Sequence, residues 1–362
     1  MKHTMLYITI GLSLISTVAH ADPKISGKLR MELLHESQKI ESTRLSNGAV
    51  SNSKDSGRTN LYAPGEIKFS ATQKIDDTWT TRYSLTYLTD LDGDGGKNFR
   101  PGTTYISLEH KDYGRMRFGR MTTPEDEVVD VAVSYSGLMG AGKPFTNSGF
   151  RSNNAIQYYS PYFMHSKDGS RTRVKLHYGM DENTEDTNIR AYTKDSPYRR
   201  QDVKRDAAVA QIMRTGGKVE WGASYTHAGD ELKAISGMVA YNGVDWRVAA
   251  SARKADYGTA DDETGFFISG VYQPAKDWNV YGQVGHVENY AGQGFGVRST
   301  DYTVGAIGVS KDFRVSNGRA TAYVETAIEK LKFLQPNSRQ TRLSTYENEE
   351  IIGLAAGVEY RF

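Results

Sequence analysis

The chain has 362 residues, with 45 basic and 43 acidic side chains, a net charge of +2 and no cysteine. Near-neutrality removes the basic excess that nucleic-acid binding calls for, and the absence of cysteine removes disulfide stapling. Tyr is high at 23 and Gly at 36 while Pro is only 9, a mixture that fits the aromatic girdles and strand-rich wall of a membrane β-barrel.

At the N-terminus, Lys2 and His3 form a short basic region, and Met5 to Val18 is mostly apolar. Ala19-His20-Ala21 then supplies a small-x-small site. This is the layout of a secretory signal peptide, with cleavage expected after Ala21. Residues 1–21 are therefore read as a signal peptide and 22–362 as one β-barrel domain, without linker or second domain. Beyond Ala21 no apolar run reaches the length of about 20 residues that a transmembrane helix needs.

Period-two alternation begins soon after Asp22. Ile25, Gly27, Leu29, Met31 and Leu33 alternate with Ser26, Lys28, Arg30 and Glu32. Trp79, Thr81, Tyr83, Leu85 and Tyr87 alternate with Thr80, Arg82, Ser84 and Thr86. Further on, Val219, Trp221, Ala223 and Tyr225 alternate with Glu220, Gly222, Ser224 and Thr226, and Trp246 to Ala252 with Arg247 to Arg253. The final stretch sets Ile352, Leu354, Ala356, Val358, Tyr360 and Phe362 against Gly353, Ala355, Gly357, Glu359 and Arg361. Such segments are strands with one apolar side. If that side meets lipid, the charged side has only a wet interior to occupy.

Connections alternate between short and long. Short ones include Asp76-Asp77, Asp112 to Gly114, Asn242-Gly243, Pro274 to Asp277 and Lys311 to Gly318. Long ones include Gln38 to Thr59, Thr89 to Gly102, Met121 to Gly149, Asp181 to Arg205, Lys254 to Asp262, Asn289 to Ser299 and Lys330 to Asn348. Short periplasmic turns and long external loops describe an outer-membrane barrel. The segment count predicts an all-β fold, a 16-stranded antiparallel transmembrane β-barrel, wide enough to leave an aqueous lumen.

Three motifs carry a family likeness. Phe118-Gly119-Arg120 is followed by a long loop and then by Arg151-Ser152-Asn153-Asn154-Ala155-Ile156-Gln157-Tyr158-Tyr159-Ser160-Pro161. The ending Gly357 to Phe362 and the opening Ile25-Ser26-Gly27-Lys28 are the other two. With these, the mature chain resembles the general bacterial (Gram-negative) trimeric porin family, of the beta- and gamma-proteobacterial type. The resemblance implies a homotrimer in the outer membrane, surrounded by lipid and lipopolysaccharide, and a terminal strand ending at Phe362 that the barrel-assembly machinery reads. It implies passive diffusion of ions and small hydrophilic solutes, and a third loop folded into the barrel as a constriction. The acidic loop residues are then Glu125, Asp126, Glu127 and Asp130. The facing basic wall is Lys28, Arg30, Arg82, Arg120 and Arg151. Alternation independently sets Lys28, Arg30 and Arg82 on the polar face, and Arg151 with Asn153, Ala155 and Gln157. Opposed charges across such a gap create a transverse field that orients water and dipolar solutes. Glu66 stands where relatives commonly carry an arginine. Gly137, Gly140 and Gly142 suit a sharp loop path.

Asp90-Leu91-Asp92-Gly93-Asp94-Gly95-Gly96 resembles the opening of a calcium loop but lacks the downstream bidentate Glu, since Pro101 holds that point. It reads as an acidic external loop, with weak Ca²⁺ binding by Asp90, Asp92 and Asp94 as the lesser alternative; no cofactor or metal is expected. His165, His177 and His227 fall on separate segments, and no hydrolase, zincin or P-loop motif is present, so an enzyme is not expected. Two alternatives stand beside passive diffusion. One is a substrate-selective channel using Tyr105, Tyr159 and Tyr281; the other is a structural or adhesive barrel.

Overall fold

The computed structural model describes residues 23–44, 50–92, 99–136, 145, 148–180, 190–193, 196–202, 206–229, 232–258, 262–290, 301–336 and 343–362. The expected signal peptide 1–21, Asp94, Gly137, Gly140 and Gly142 lie outside the described residues.

Period-two sequence becomes antiparallel strands throughout. They are β1 (Lys24–Arg44), β2 in two segments (Val50–Tyr62 and Pro64–Lys74), β3 (Trp79–Asp90), β4 (Phe99–His110) and β5 (Gly114–Thr122). A short helix α1 (Asp126–Val129) follows, then β6 (Arg151–Tyr159) and β7 (Arg171–Gly179). The series continues with β8 (Ala207–Thr215), β9 (Val219–Ala228), β10 (Leu232–Asn242), β11 (Trp246–Asp256) and β12 (Glu263–Ala275). It ends with β13 (Trp278–Glu288), β14 (Asp301–Val315), β15 (Gly318–Pro336) and β16 (Leu343–Arg361). Each strand pairs with its neighbours in sequence, and β1 also pairs with β16, so sixteen strands close into a barrel once the segments of β2 are counted together. A separate two-stranded ribbon, Arg190–Thr193 with Ser196–Asp202, lies between β7 and β8.

The break in β2 has a local cause. Pro64 has no N–H to give to a ladder. At the preceding Ala63 the backbone N–H donates to Asp92 Oδ2 at 2.8 Å, and the Ala63 carbonyl accepts from Leu91 at 2.9 Å. Asp92 therefore ties the strand break, and neighbouring Asp90 pairs with Arg100 at 2.7 Å. Short turns are built by similar side-chain bonds. Asp76 accepts from Thr78 Oγ1 and its N–H, both at 2.7 Å, and from the Trp79 N–H at 2.8 Å. These donors hold the Asp76 carboxyl below the usual carboxylate range.

Burial inverts the pattern of a water-soluble domain. On β10, Ile235 is 61% exposed while Ser236 is 2% exposed. The apolar set that includes Met31, Leu33, Trp221, Tyr225, Phe266, Ile307, Val324 and Leu354 is likewise exposed. Thr226, Ser251 and Ser269, on the polar faces, are buried. An outward apolar band of this kind is the surface a lipid bilayer requires.

Two expected long connections are mostly strand. β1 runs on to Arg44 and β2 begins at Val50; β15 reaches Pro336 and β16 begins at Leu343. The β1 and β2 extensions are almost wholly polar, so apolar alternation cannot reveal them, whereas on β15 Leu331 and Phe333 alternate with Lys330 and Lys332; the backbone ladder continues through all of them. The expected Lys311–Gly318 turn narrows to Ser316-Asn317, because Phe313 and Val315 continue the outward apolar row of β14.

The seam between first and last strands is closely fitted. Gly27 and Phe362 exchange backbone hydrogen bonds of 2.9 and 3.1 Å. A Cβ on Gly27 would stand 2.5 Å from the Phe362 ring and 2.6 Å from the Glu66 carbonyl, so only glycine fits there.

A candidate constriction between charged walls

Between β5 and β6, residues 123–136 run along the polar faces of the strands and touch them in barrel order. Glu127 pairs with Lys175 on β7. The Pro124 carbonyl accepts from Gln211 on β8 at 2.8 Å. Glu125 accepts from Thr226 on β9 at 3.1 Å, Ser236 on β10 at 2.8 Å and Arg253 Nε on β11 at 3.0 Å. Ser251 of β11 donates to the Val129 carbonyl at 3.2 Å, and Ser269 of β12 donates to that of Val131. Gln283 of β13 accepts from the backbone of Val133 and Ser134 at 2.9 and 3.1 Å. Glu325 of β15 takes the Tyr135 N–H at 3.0 Å and the Ser134 hydroxyl. Finally Ser136 donates to Glu32 on β1 at 3.3 Å, while Arg30 donates to the Tyr135 carbonyl.

The attachment has two strong points. At its start, Arg253 bridges Glu125 and Glu263, with 3.0 and 2.8 Å contacts and all three side chains fully buried. Val128, Val129 and Val131 pack beside it against Met238, Ala240 and Phe267. At its far end, Tyr135 stacks on Tyr323 at 5.2 Å and leans on Tyr281 at 5.6 Å. Those two phenols donate to Glu32 and Glu325. Each ring lies over a glycine of the next strand: a Cβ on Gly308 would meet Tyr281 at 2.4 Å, and one on Gly357 would meet Tyr323 at 2.6 Å. The glycines let the rings lie flat against the wall.

The expected site residues separate into groups. Arg30, Glu125 and Glu127 are drawn into the attachment of 123–136. Asp126 and Asp130 lie on α1 and its C-cap, with Asp130 exposed and its carboxyl pushed above the usual range by desolvation. Lys28 is exposed on β1, directly across from Glu66. This opposite-charge neighbour is where relatives were expected to carry arginine. Arg82 pairs with Glu109 at 3.2 Å, both partly exposed. Arg120 hydrogen-bonds Asn153. Here the ladder between β5 and β6 slips between Gly119 and Met121, and Asn154 takes a positive φ of 46°. The extra residue reverses the alternation. Ser152, not Arg151, shares the buried row with Ala155 and Gln157, so the expected common face of Arg151 and Gln157 is corrected.

Several partners were not among the expected residues. Arg253 stood on the polar face in the alternation, but its pairing with Glu125 spans 128 positions and leaves no local signal. The same holds for Lys175, Tyr323 and Glu325. On β5 to β7, Arg115, Arg117 and Arg173 join Lys175 around Tyr159, at 4.4 to 5.1 Å from its ring centre. Their signal was present as i, i+2 pairs of cations, Arg115/Arg117 and Arg173/Lys175. His177 is buried between Gln157 and Ser152, and no group of described residues is arranged to hold a metal ion.

The family model for Gram-negative porins matches residues 9–328. The chain belongs to the Gram-negative porin family. No curated protein sequence matches this porin. Solved structures agree on the fold. The anion-selective porin from Comamonas acidovorans aligns with a TM-score of 0.64 at 15% identity, over 95% of this chain and 100% of that one. OmpF of Salmonella typhi, in complex with daunomycin, gives 0.59 at 14%, over 94% and 98%. In-vitro folded OmpT of Vibrio cholerae, trimer form, gives 0.56 at 14%, over 94% and 99%. The porin is thus a sixteen-stranded outer-membrane channel and not an enzyme.

Proposed function

We propose that this porin forms a water-filled pore for passive diffusion of ions and small hydrophilic solutes, narrowed by its third loop folded into the lumen. The observation that carries this reading is the ordered attachment of residues 123–136 to the polar faces of β7 through β13, β15 and β1. A segment held on that many strands leaves the polar faces of β2 to β6 open across from it. There Arg82 on β3 and Arg120 at the end of β5 supply positive charge, with Lys28 beside them on β1, while Arg151 stands outside the row of Ala155 and Gln157. Asp126 and Asp130 supply negative charge from the loop side. Glu125 acts instead as an anchor, and Glu127 is neutralised by Lys175. A transverse field between them orders dipolar solutes and biases ion entry.

A homotrimer is part of the proposal, supported by the trimeric form of the OmpT relative. The exposed apolar faces suit lipid and lipopolysaccharide, and β16 with Phe362 suits the assembly machinery. Purified protein in planar bilayers is expected to give ohmic steps in multiples of three. Protein that inserts but never conducts would sink the proposal.

A further inference from the structure

In the basic group on β5, β6 and β7 only Lys175 takes part in the loop attachment; Arg115, Arg117 and Arg173 belong neither to it nor to the expected constriction. Register places Arg115, Tyr159 and Lys175 side by side on three adjacent strands. Arg115 and Arg117 lie over the Tyr159 ring at 4.6 and 4.4 Å, and Arg173 at 5.1 Å. Arg117 also lies over Tyr105 at 4.4 Å, and Arg173 over Tyr162 at 4.9 Å. Lys175 is paired with Glu127. Among the described residues, Arg115, Arg117 and Arg173 have no ion-pair partner. Arg117 donates to the Tyr159 hydroxyl at 2.8 Å.

Three like charges gathered on one ring repel each other, and the phenol faces offset only part of that. Stacking occupies the flat faces of the guanidinium groups. Their N–H edges remain, in the planar fork that grips carboxylate or phosphate oxygens two at a time. The group lies beside the short connections, since Arg115 follows Gly114 and Tyr159 precedes the 160–170 turn.

We propose that this Arg115–Arg117–Arg173 group is a binding station for small doubly charged oxyanions, solutes bearing two carboxylates or a phosphate, at the short-turn end of the lumen. The proposal rests on the channel reading. It adds a place where one class of solute pauses, apart from the loop.

The test is current block in planar bilayers at fixed ionic strength, with succinate, inorganic phosphate and, as a single-charge comparison, acetate. Succinate or phosphate is expected to reduce the current in a saturable way, and acetate at least about tenfold less effectively, the worth of one charge-assisted contact. Tighter block by succinate assigns dicarboxylates; tighter block by phosphate assigns phosphate esters. R115Q/R117Q is expected to weaken the block, measured against its own open-channel current, about tenfold or more, while Tyr159→Phe, which keeps the ring, preserves it. In wild type the block is expected to be sided, less voltage-dependent from the short-turn side. This measurement stands even if the double variant does not fold. Equal block by acetate, unchanged block in R115Q/R117Q, or block without sidedness overturns the station while leaving the channel intact. Absence of any conductance in wild type overturns both.

Discussion

The polar faces of β8 to β13 and those of β3 to β7 solve different problems with the same alternation. The first group presents short hydroxyls and amides, Gln211, Thr226, Ser236, Ser251, Ser269 and Gln283, and all six bond to residues 124–134. The second group presents long cations, Arg82 paired with Glu109, and Arg115, Arg117, Arg173 and Lys175 with phenol rings beneath them. Short side chains make room for a segment of chain and satisfy its backbone groups, which must find partners away from bulk water. Long cations leave no such room and instead project charge. One wall serves as a seat and the other as a field source. A third region, β1 with β15 and β16, holds buried carboxylates Glu32, Glu36, Glu325 and Glu359. Two of these end the seat by taking donors from Ser134, Tyr135 and Ser136.

The division can be broken most severely at Arg253. Arg253→Leu leaves Glu125 and Glu263 buried without their shared cation, at a cost of about 3–5 kcal/mol. Heat-modifiability on gels is expected to show a lower melting temperature, and bilayers a noisier, larger conductance. Unchanged melting would remove the anchor role. Next comes Glu325→Ala, which frees the Tyr135 N–H and the Ser134 hydroxyl and costs about 1–3 kcal/mol. Its expected signature is a rise in conductance larger than the loss of stability would suggest, because the far end of the loop segment detaches while its start stays bound.

The field wall is sharpened by reversal potentials across a salt gradient. Arg117→Gln is expected to shift selectivity toward cations more than Arg151→Ala, because the β5–β6 irregularity takes Arg151 out of the row shared by Gln157 and Ala155. The opposite order would restore Arg151 as the dominant wall charge. Acidification gives a smaller effect. Desolvation raises the Asp130 carboxyl, so it protonates while ordinary aspartates are still charged. The selectivity of wild type is therefore expected to drift toward anions beginning above the usual aspartate range, and Asp130→Asn to flatten that drift. The smallest change is expected for Arg82→Gln. Its partly exposed pair with Glu109 is worth about 0–1 kcal/mol, so thermal melting should stay put while reversal potential moves slightly.

Much of the architecture was legible in the residue order. The alternation of Val219 to Thr226, Trp246 to Arg253 and Ile352 to Glu359 returns in the observed exposure. This works because a barrel wall has one period and two solvents. The strand extension Gln38–Arg44 was hidden because polar residues fill nearly all of it, whereas Lys330–Pro336 does keep an alternation, Leu331 and Phe333 against Lys330 and Lys332. At the site, Arg30, Glu125 and Glu127 were recognisable as charges placed near the loop. Their partners were not, since Arg253, Lys175 and Glu325 meet the loop segment only after the sheet has curved round on itself. Arg151 was misplaced by a single inserted residue, and Asn153-Asn154 carries no unique mark of a bulge.

The seam where Gly27 meets Phe362 has a consequence for how the chain acquires its shape. Contacts such as Lys28 with Arg361 join positions more than three hundred residues apart, the costliest kind of closure for a searching chain. Strands made early have no finished partner on one side until Gly353 to Arg361 exists, and their open edges invite pairing with other chains in the interval. The molecule is thus committed to late, all-at-once ring closure. A truncation that removes Phe362 strikes assembly rate and aggregation first, before it has any bearing on permeation.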